Sequence, residues 1–295
     1  GNSFEGMAAA PERYGSEDIA KVIIEFDGVT GDAVQNINTL SSVKNIWFRQ
    51  KNWSTQLNGL YLSRYAYLED CMFTHFNGYG FYSNSTGVAG SANAYHSAFN
   101  RSQFLYNAKH GVGLFNGANA ITLRDCLGRW NGSPSYDVQP TIVGLYDGLY
   151  VDGDNPDFPD GGTAFEPQVV FVEGGDWSYN SRYGQNWERA FDSVVIGGYI
   201  ENNKLSDIRI GRSYSLSILN PLAQQTPILN CVQQDPSEPT MNLSVYPNHI
   251  IIRGRNYGNG LKITDAVGYN QQLPALYTRG SSARAYMYGD ATGAI

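Results

Sequence analysis

The segment AYLEDCMFTHFNGYGFY (residues 66–82) decides the fold prediction, because a similar phrase returns further along the chain. ITLRDCLGRWNG (121–132) repeats its Leu-x-Asp-Cys and continues to an aromatic residue followed by Asn. VVFVEGGDWSYN (169–180) also ends on an aromatic residue and Asn. Each phrase contains short apolar strands and no helical periodicity. Self-similarity of this kind indicates a structure built from stacked repeats.

An aromatic residue followed by Asn marks the repeat, and its instances are Phe76-Asn77, Tyr106-Asn107, Trp130-Asn131, Tyr179-Asn180 and the looser Ile200-Glu201-Asn202. The Asn residues are 30, 24, 49 and 22 positions apart. A unit of this length with two or three strands is typical of one β-coil, and the longest gap indicates inserted loops. Asn tolerates the left-handed bend between strands, and its amide can bond the Asn one coil away. We predict an all-β, right-handed, single-stranded parallel β-helix of about eight coils.

Composition agrees with strands and excludes several classes of function. The chain has 33 Gly, 21 Tyr and only 16% charged residues, which favours strands and turns over charged helices. A net charge of −7 argues against a nucleic-acid partner, which would need clustered Lys and Arg. No apolar run is long enough to insert into a membrane. The three Cys have no zinc-ligand spacing, so we predict buried thiols and neither a metal nor a cofactor.

The repeat also suggests how the chain is divided. Residues 1–20 are predicted to form a lead-in segment that a longer chain could precede, and residues 21–212 to form the β-helix. Residues 213–295 are predicted to form either the end of the β-helix or a C-terminal β-rich cap. Two stretches rich in Pro, Gly and Asp, 132–146 and 152–168, interrupt the strand pattern as loops.

Carboxylates near the Asn landmark are the candidate catalytic groups. Glu173 and Asp176 lead, with Asp192 and Glu201 expected on the following coil. Glycoside hydrolysis needs two carboxylates, and stacked coils can bring them within reach of one bond. The alternative is that these are ordinary solvated residues on the outside of the coils. The acidic loop that begins at Asp152 could bind calcium, but a solvated loop is the preferred interpretation.

Sugar binding also requires aromatic faces and polar groups near the carboxylates. The predicted substrate-binding residues are Trp177, Tyr179, Tyr183, Trp187, Arg182 and Tyr146. The two long loops precede the Glu173 coil and are expected to wall a groove beside it.

The units at 66–82 and 121–132 resemble coils of pectin-lyase-like parallel β-helices, in particular bacteriophage tailspikes and capsule depolymerases. The resemblance covers roughly residues 20–212 and includes no diagnostic catalytic motif. It implies a homotrimer on the virion tail, or an extracellular protein, that binds and often cleaves a bacterial surface polysaccharide such as capsule or O-antigen. Two alternatives stay open. One is a non-catalytic receptor-binding spike, and the other is a polysaccharide lyase using Arg182 or Arg189, both of which follow the acidic positions.

Overall fold

The computed structural model describes residues 22–36, 41–83, 94–153, 167–211, 213–223, 228–230, 250–255, 262–264 and 285–289. These residues form strands, turns and loops, and no helix that could cross a membrane occurs among them. The strands belong to three sheets, and every pairing between strands is parallel.

Sheet 1 contains β1 (Val22–Phe26), β4 (Ile46–Gln50), β7 (Met72–Thr74), β10 (Gln103–Leu105) and β13 (Leu127–Arg129). Sheet 2 contains β2 (Gly31–Asn36), β5 (Leu57–Leu62), β8 (Phe81–Ser83), β11 (Val112–Leu114), β14 (Leu149–Val151), β16 (Tyr183–Trp187), β19 (Ser206–Ile210), β21 (Ile228–Asn230) and β23 (Lys262–Thr264). Sheet 3 contains β3 (Ser41–Lys44), β6 (Ala66–Glu69), β9 (Ala98–Asn100), β12 (Thr122–Arg124), β15 (Phe171–Glu173), β17 (Phe191–Ile196), β20 (Tyr214–Ala223), β22 (Ile250–Arg255) and β24 (Ala285–Gly289), with β18 (Tyr199–Ile200) paired to β20.

The chain visits the three sheets in turn, so that β1, β2 and β3 are followed by β4, β5 and β6 on the same three sheets. Each passage stacks directly on the previous one, as in the pairing of Val22 with Ile46. The predicted all-β class and stacked parallel strands are therefore confirmed. Strands β20 to β24 extend sheets 2 and 3, while the domain boundary at residue 212 stays a prediction.

A ladder of buried asparagines joins successive coils at the end of sheet 1. The amide of Asn107 donates to Asn131 at 3.0 Å, that of Asn131 to Asn180 at 3.1 Å, and that of Asn180 to Asn203 at 3.0 Å. Asn203 donates in turn to the carboxylate of Asp207 at 3.0 Å. The predicted hydrogen bonds between Asn residues of neighbouring coils are thus present.

The ladder register differs from the predicted one at both ends. The backbone N–H of Phe76 donates to Asn107 Oδ1 at 3.1 Å, so Phe76 rather than Asn77 occupies the ladder position. At the other end the member is Asn203, one residue after the predicted Asn202.

The residue that adopts the left-handed bend is the one before the ladder position, as at Tyr106 (φ 55°), Trp130 (φ 57°) and Tyr179 (φ 60°). The prediction that the ladder Asn itself takes this conformation is wrong, because that Asn must direct its amide to the next coil. The preceding rings stack instead, with centroids 5.2 Å apart for His75 and Tyr106, 4.8 Å for Tyr106 and Trp130, and 6.2 Å for Trp130 and Tyr179. We call His75, Tyr106, Trp130 and Tyr179 the aromatic column.

The core lies inside the three sheets and is stacked in the same way. On sheet 1, Phe48 stacks on Phe73 at 4.9 Å and Phe73 on Phe104 at 5.8 Å. The next position is Gly128, where a Cβ atom would lie 2.4 Å from Cε3 of Trp177. The small residue therefore makes room for the indole, which is 0% exposed.

Two of the three cysteines are described, and they occupy equivalent places at the corner between sheets 3 and 1. Cys71 and Cys126 are both free and buried, as the sequence predicts. Burial raises the pKa of both thiols, that of Cys126 to about 12. Cys231 lies outside the described residues.

Candidate functional site

The outer face of sheet 1 carries a cluster of polar groups where the sheet continues past β13. Asp176 bridges Leu127 on one side and Tyr199 on the other, so residues 176–178 and 199–201 extend sheet 1. Strand β18 pairs with only the last two residues of β20, whose earlier residues belong to sheet 3. Side chains alternate along a strand, and Gly128, Trp177 and Ile200 face the core. Their neighbours therefore face outwards. We call Arg129, Asp176, Ser178, Tyr179, Tyr199 and Glu201 the sheet 1 cluster.

A serine hydroxyl lies between the carboxylate of Asp176 and the backbone of Glu201. The Ser178 hydroxyl donates to Asp176 Oδ1 at 2.5 Å and accepts from the backbone N–H of Glu201 at 3.1 Å. Asp176 and Glu201 are each 8% exposed. Glu201 is one strand and two residues away from Asp176, which places their Cα atoms about 8 Å apart. Side chains on such a diagonal can reach the separation of about 6.5–9.5 Å that suits an inverting glycosidase.

Two phenols hold Glu201. The Tyr179 hydroxyl donates to Glu201 Oε1 at 3.0 Å, and Tyr199 also hydrogen-bonds this carboxylate. The bond to Glu201 is the main cause that raises the pKa of Tyr199 to about 12. Burial, followed by the bond to Glu201, raises the pKa of Tyr179. Both phenols therefore stay protonated near neutral pH and act as donors to Glu201.

Arg129 completes the cluster. Its guanidinium carbon lies 4.2 Å from the ring centroid of Trp130 and 5.2 Å from that of Tyr179. Nη1 is 3.6 Å from Asp176 Oδ2, which is an ion-pair distance but too long for a hydrogen bond. The cluster thus combines two carboxylates, a cation and aromatic rings on one face.

Of the predicted catalytic residues, Asp176 and Glu201 lie together and the other two lie elsewhere. Glu173 is on sheet 3, where its carboxylate accepts from Arg124 Nε at 2.7 Å. The corner at Gly174 (φ 64°) and Gly175 separates Glu173 from Asp176 and turns the chain onto another sheet. Asp192 is exposed on β17, also in sheet 3. The structure therefore places Asp176 on a strand next to that of Glu201 and keeps Glu173 on a different sheet.

The structure contradicts the sugar-contact role predicted for Trp177 and Trp187. Both side chains are 0% exposed and belong to the core. Trp187 satisfies its indole N–H inside the protein, by donating to Gln185 Oε1 at 3.2 Å. Tyr179 is the predicted aromatic residue that does lie in the sheet 1 cluster.

Arg182, Tyr183 and Tyr146 lie together at a different place, around the buried carboxylate of Asp147 on sheet 2. Arg182 donates to both oxygens of Asp147, at 2.8 and 2.6 Å. The Tyr183 backbone N–H donates to the same carboxylate at 3.0 Å, and the Tyr146 ring lies edge-on to His110 at 5.1 Å. Since Asp147 is 0% exposed and well bonded, this network stabilises the fold.

Loop 132–146 lies along the aromatic column rather than beside Glu173. His75 Nε2 is 3.2 Å from Asp137 Oδ1, and the Tyr136 ring lies 4.8 Å from the His75 ring. The expected groove wall at Glu173 is therefore not formed by this loop. Residues 154–166 of the second loop, which include most of the acidic stretch considered for calcium, lie outside the described residues. Within the described part of the chain, no group of three His, Cys, Asp or Glu could hold a metal ion.

Sequence reasoning missed Arg129, Ser178 and Tyr199. The signal that could have found them is strand alternation: once the core position of each coil is known, the residues on either side must face outwards.

The comparisons support the fold. No family model matches the sequence, and the search of curated proteins found no match. Among solved structures, the chain is similar to the A-module of a mannuronan C-5 epimerase from Azotobacter vinelandii, with a TM-score of 0.51 and 13% identity. The match covers 82% of this chain and 75% of that module. At this identity the similarity indicates a shared parallel β-helix fold.

Proposed function

We propose that the protein binds a polysaccharide at the outer face of sheet 1 and cleaves it by hydrolysis, with Asp176 and Glu201 as the two carboxylates. The observation that carries the proposal is their placement on neighbouring coils, where the Ser178 hydroxyl donates to the Asp176 carboxylate and accepts from the backbone N–H of Glu201. The similar fold of a module whose name gives mannuronan as its substrate adds support for a polysaccharide ligand.

The bonding suggests how the two roles divide. The Tyr179 and Tyr199 hydroxyls hold the Glu201 carboxylate in place, so we assign it the activation of water. Asp176 is then the general acid that protonates the leaving oxygen. The half-buried Tyr179 and Tyr199 provide ring faces against which a sugar can pack.

Purified protein should be incubated with a panel of bacterial capsules, O-antigens and polyuronates while new reducing ends are measured. We expect one polysaccharide to be cleaved, and Asp176→Asn and Glu201→Gln each to lower the rate by about a hundredfold or more. The matched control Glu173→Gln removes a carboxylate of the adjoining sheet and should retain the rate. Equal loss in the control would restore the pairing expected from the sequence.

Two alternatives would give different results in the same assay. Saturable binding without any product would favour a receptor-binding module, for which the small exposure of both carboxylates is the supporting observation. An unsaturated product, lighter than the hydrolytic one by a water molecule, would favour a lyase.

We also propose the finer features that the tailspike resemblance implies. These are a right-handed winding of about eight coils, a homotrimer, and a place on a virion tail or outside the cell. Right-handed winding is supported by the strong preference of parallel crossover connections for that hand. The loop residues Ile142 and Leu145, 75% and 70% exposed, offer apolar surface for a second copy.

A further inference from the structure

Arg129 is a nearly buried cation with little compensation from the protein. Its residue is 7% exposed, and Nε has no hydrogen-bond partner among the described residues. The carboxylate that it faces, that of Asp176, lies at 3.6 Å. Leaving a buried guanidinium nitrogen without a hydrogen bond is costly, so Nε of Arg129 calls for an explanation.

Arg64 also has a buried Nε without a hydrogen bond, whereas four other arginines each pair closely with a carboxylate. Arg49 reaches Glu25 at 2.6 Å, Arg101 reaches Asp70 at 2.7 Å, Arg124 reaches Glu173 at 2.7 Å and Arg182 reaches Asp147 at 2.6 Å. Arg49 is the closest comparison, because the strand register places it in the same column of sheet 1 as Arg129. Position in the coil therefore does not prevent an arginine from pairing.

The rings beside Arg129 hold its guanidinium in place. Trp130 and Tyr179 both lie within cation–π distance of it, at 4.2 and 5.2 Å. A guanidinium held against aromatic rings keeps its N–H groups available at its edge, in a planar fork that matches an oxyanion. This arrangement is organised before any ligand arrives.

We infer that Arg129 binds an anionic group of the glycan, so that the substrate is an acidic polysaccharide. The inference rests on the proposed function and names the class of substrate at the same site. A sugar carboxylate and a phosphate or sulfate ester present the same oxygen chemistry to the fork. Because the protein carries a net charge of −7, this local cation would decide whether an acidic chain is accepted.

Occupation of Arg129 would also affect the proposed acid. An anion bound at the guanidinium places a second negative charge beside Asp176, which favours the protonated form of its carboxyl group. That is the form that a general acid needs. An acidic substrate would therefore help to prepare Asp176 for its role.

Binding should be measured by calorimetry with the Glu201→Gln protein, which keeps substrates intact. The probes are polymannuronate, polygalacturonate, hyaluronan, a sulfated glycosaminoglycan and a glycan that carries phosphate monoesters on its sugars. Each is compared with its carboxyl-reduced, desulfated or dephosphorylated form. We expect at least one acidic polymer to bind, and its neutralised form to bind about ten- to a hundredfold more weakly. Whether reduction, desulfation or dephosphorylation causes the loss identifies the anionic group.

Variants then assign the effect to Arg129. Arg129→Met, tested at a temperature at which the variant is folded, should bind the acidic and neutralised forms equally. The control Arg49→Met removes an arginine from the same column and should keep the preference for the acidic form. Any of three results would overturn the inference. The first is equal binding of both forms by the Glu201→Gln protein, and the second is failure of every acidic polymer to bind. The third is an unchanged preference for the acidic form in Arg129→Met.

The proposed function and the inference can fail separately. Cleavage of a neutral polysaccharide would support hydrolysis and refute the role of Arg129. Selective binding of an acidic polymer that the unmodified protein does not cleave would support the role of Arg129 and refute hydrolysis.

Discussion

A single side chain of the ladder connects three coils. Asn131 Oδ1 accepts from both the backbone and the amide of Asn107, while its own amide donates to the carbonyl of Phe104 and to Asn180. The side chain is completely buried, so none of these bonds can be replaced by water.

Asn131→Ala should therefore lower the free energy of unfolding by about 3 kcal/mol, because it leaves several buried groups unbonded. The control Asn77→Ala removes an asparagine that lies outside the ladder and should cost less than about 1 kcal/mol. Denaturant titration measures both values. Similar losses in the two variants would show that a ladder asparagine contributes no more to the free energy of unfolding than an asparagine outside the ladder.

Trp177→Phe and Tyr179→Phe distinguish a residue that stabilises the core from a residue that acts in the sheet 1 cluster. Trp177→Phe shrinks a buried ring and should lower stability by about 1–3 kcal/mol while the folded protein binds glycan normally. Tyr179→Phe removes the hydroxyl that reaches Glu201 and should slow cleavage about tenfold or more with little loss of stability. Melting temperature and initial rate distinguish the two. A weakened glycan Kd in folded Trp177→Phe would contradict its assignment to the core.

At the scale of elements, strands β11, β14 and β16 are held together at their starts by a buried imidazole and a buried carboxylate. His110 Nδ1 accepts from the backbone N–H of Asp147 at 2.9 Å, which requires the neutral ring. Burial first, and then the charges of Arg182 and Lys109, lower the pKa of His110 well below its usual value.

This shift predicts a loss of stability in acid. Since the pKa is lower in the folded state than in the unfolded state, the contribution is complete above about pH 6.5 and is lost as pH falls below that value. Burial lowers the pKa of His75 in the same direction. Melting temperature should therefore fall between about pH 7 and pH 5. His110→Gln should flatten this dependence, and an equally steep profile in the variant would exclude His110 as a cause.

At the scale of the whole molecule, each coil contacts the coils above and below it, and stability spreads along the stack. A stack of this kind leaves long side faces open to other copies. If the proposed homotrimer forms, light scattering should give a mass about three times the 32.5 kDa of the chain. A mass equal to one chain at micromolar concentration would refute the trimer.

Much of the fold could be predicted because the same residue types recur in successive coils. The aromatic residue and Asn at Trp130-Asn131 and at Tyr179-Asn180 do mark corners of the coil. The register failed at Phe76-Asn77, where His75 takes the bend and an unrelated Asn follows one residue late. Local sequence cannot distinguish these two asparagines, because only the hydrogen bond from the next coil does so.

The candidate site was harder to predict, since its members come from different coils. Asp176 and Glu201 were recognisable as carboxylates, but their pairing depends on which coil stacks on which. Trp177 and Trp187 were misassigned because an indole looks suited to a wet groove, whereas Gln185 bonds the Trp187 indole inside the core. Arg129 has no sequence signal of its own, and alternation along the strand reveals it.

The asparagine ladder has a direction. Asn107, Asn131 and Asn180 each donate one amide hydrogen to the Asn of the next coil, and Asn203 donates to the carboxylate of Asp207. Amides in such a chain polarise one another, so the terminal anion strengthens bonds several coils away. We therefore expect a neutral residue at position 207 to weaken hydrogen bonds between coils that Asp207 does not contact.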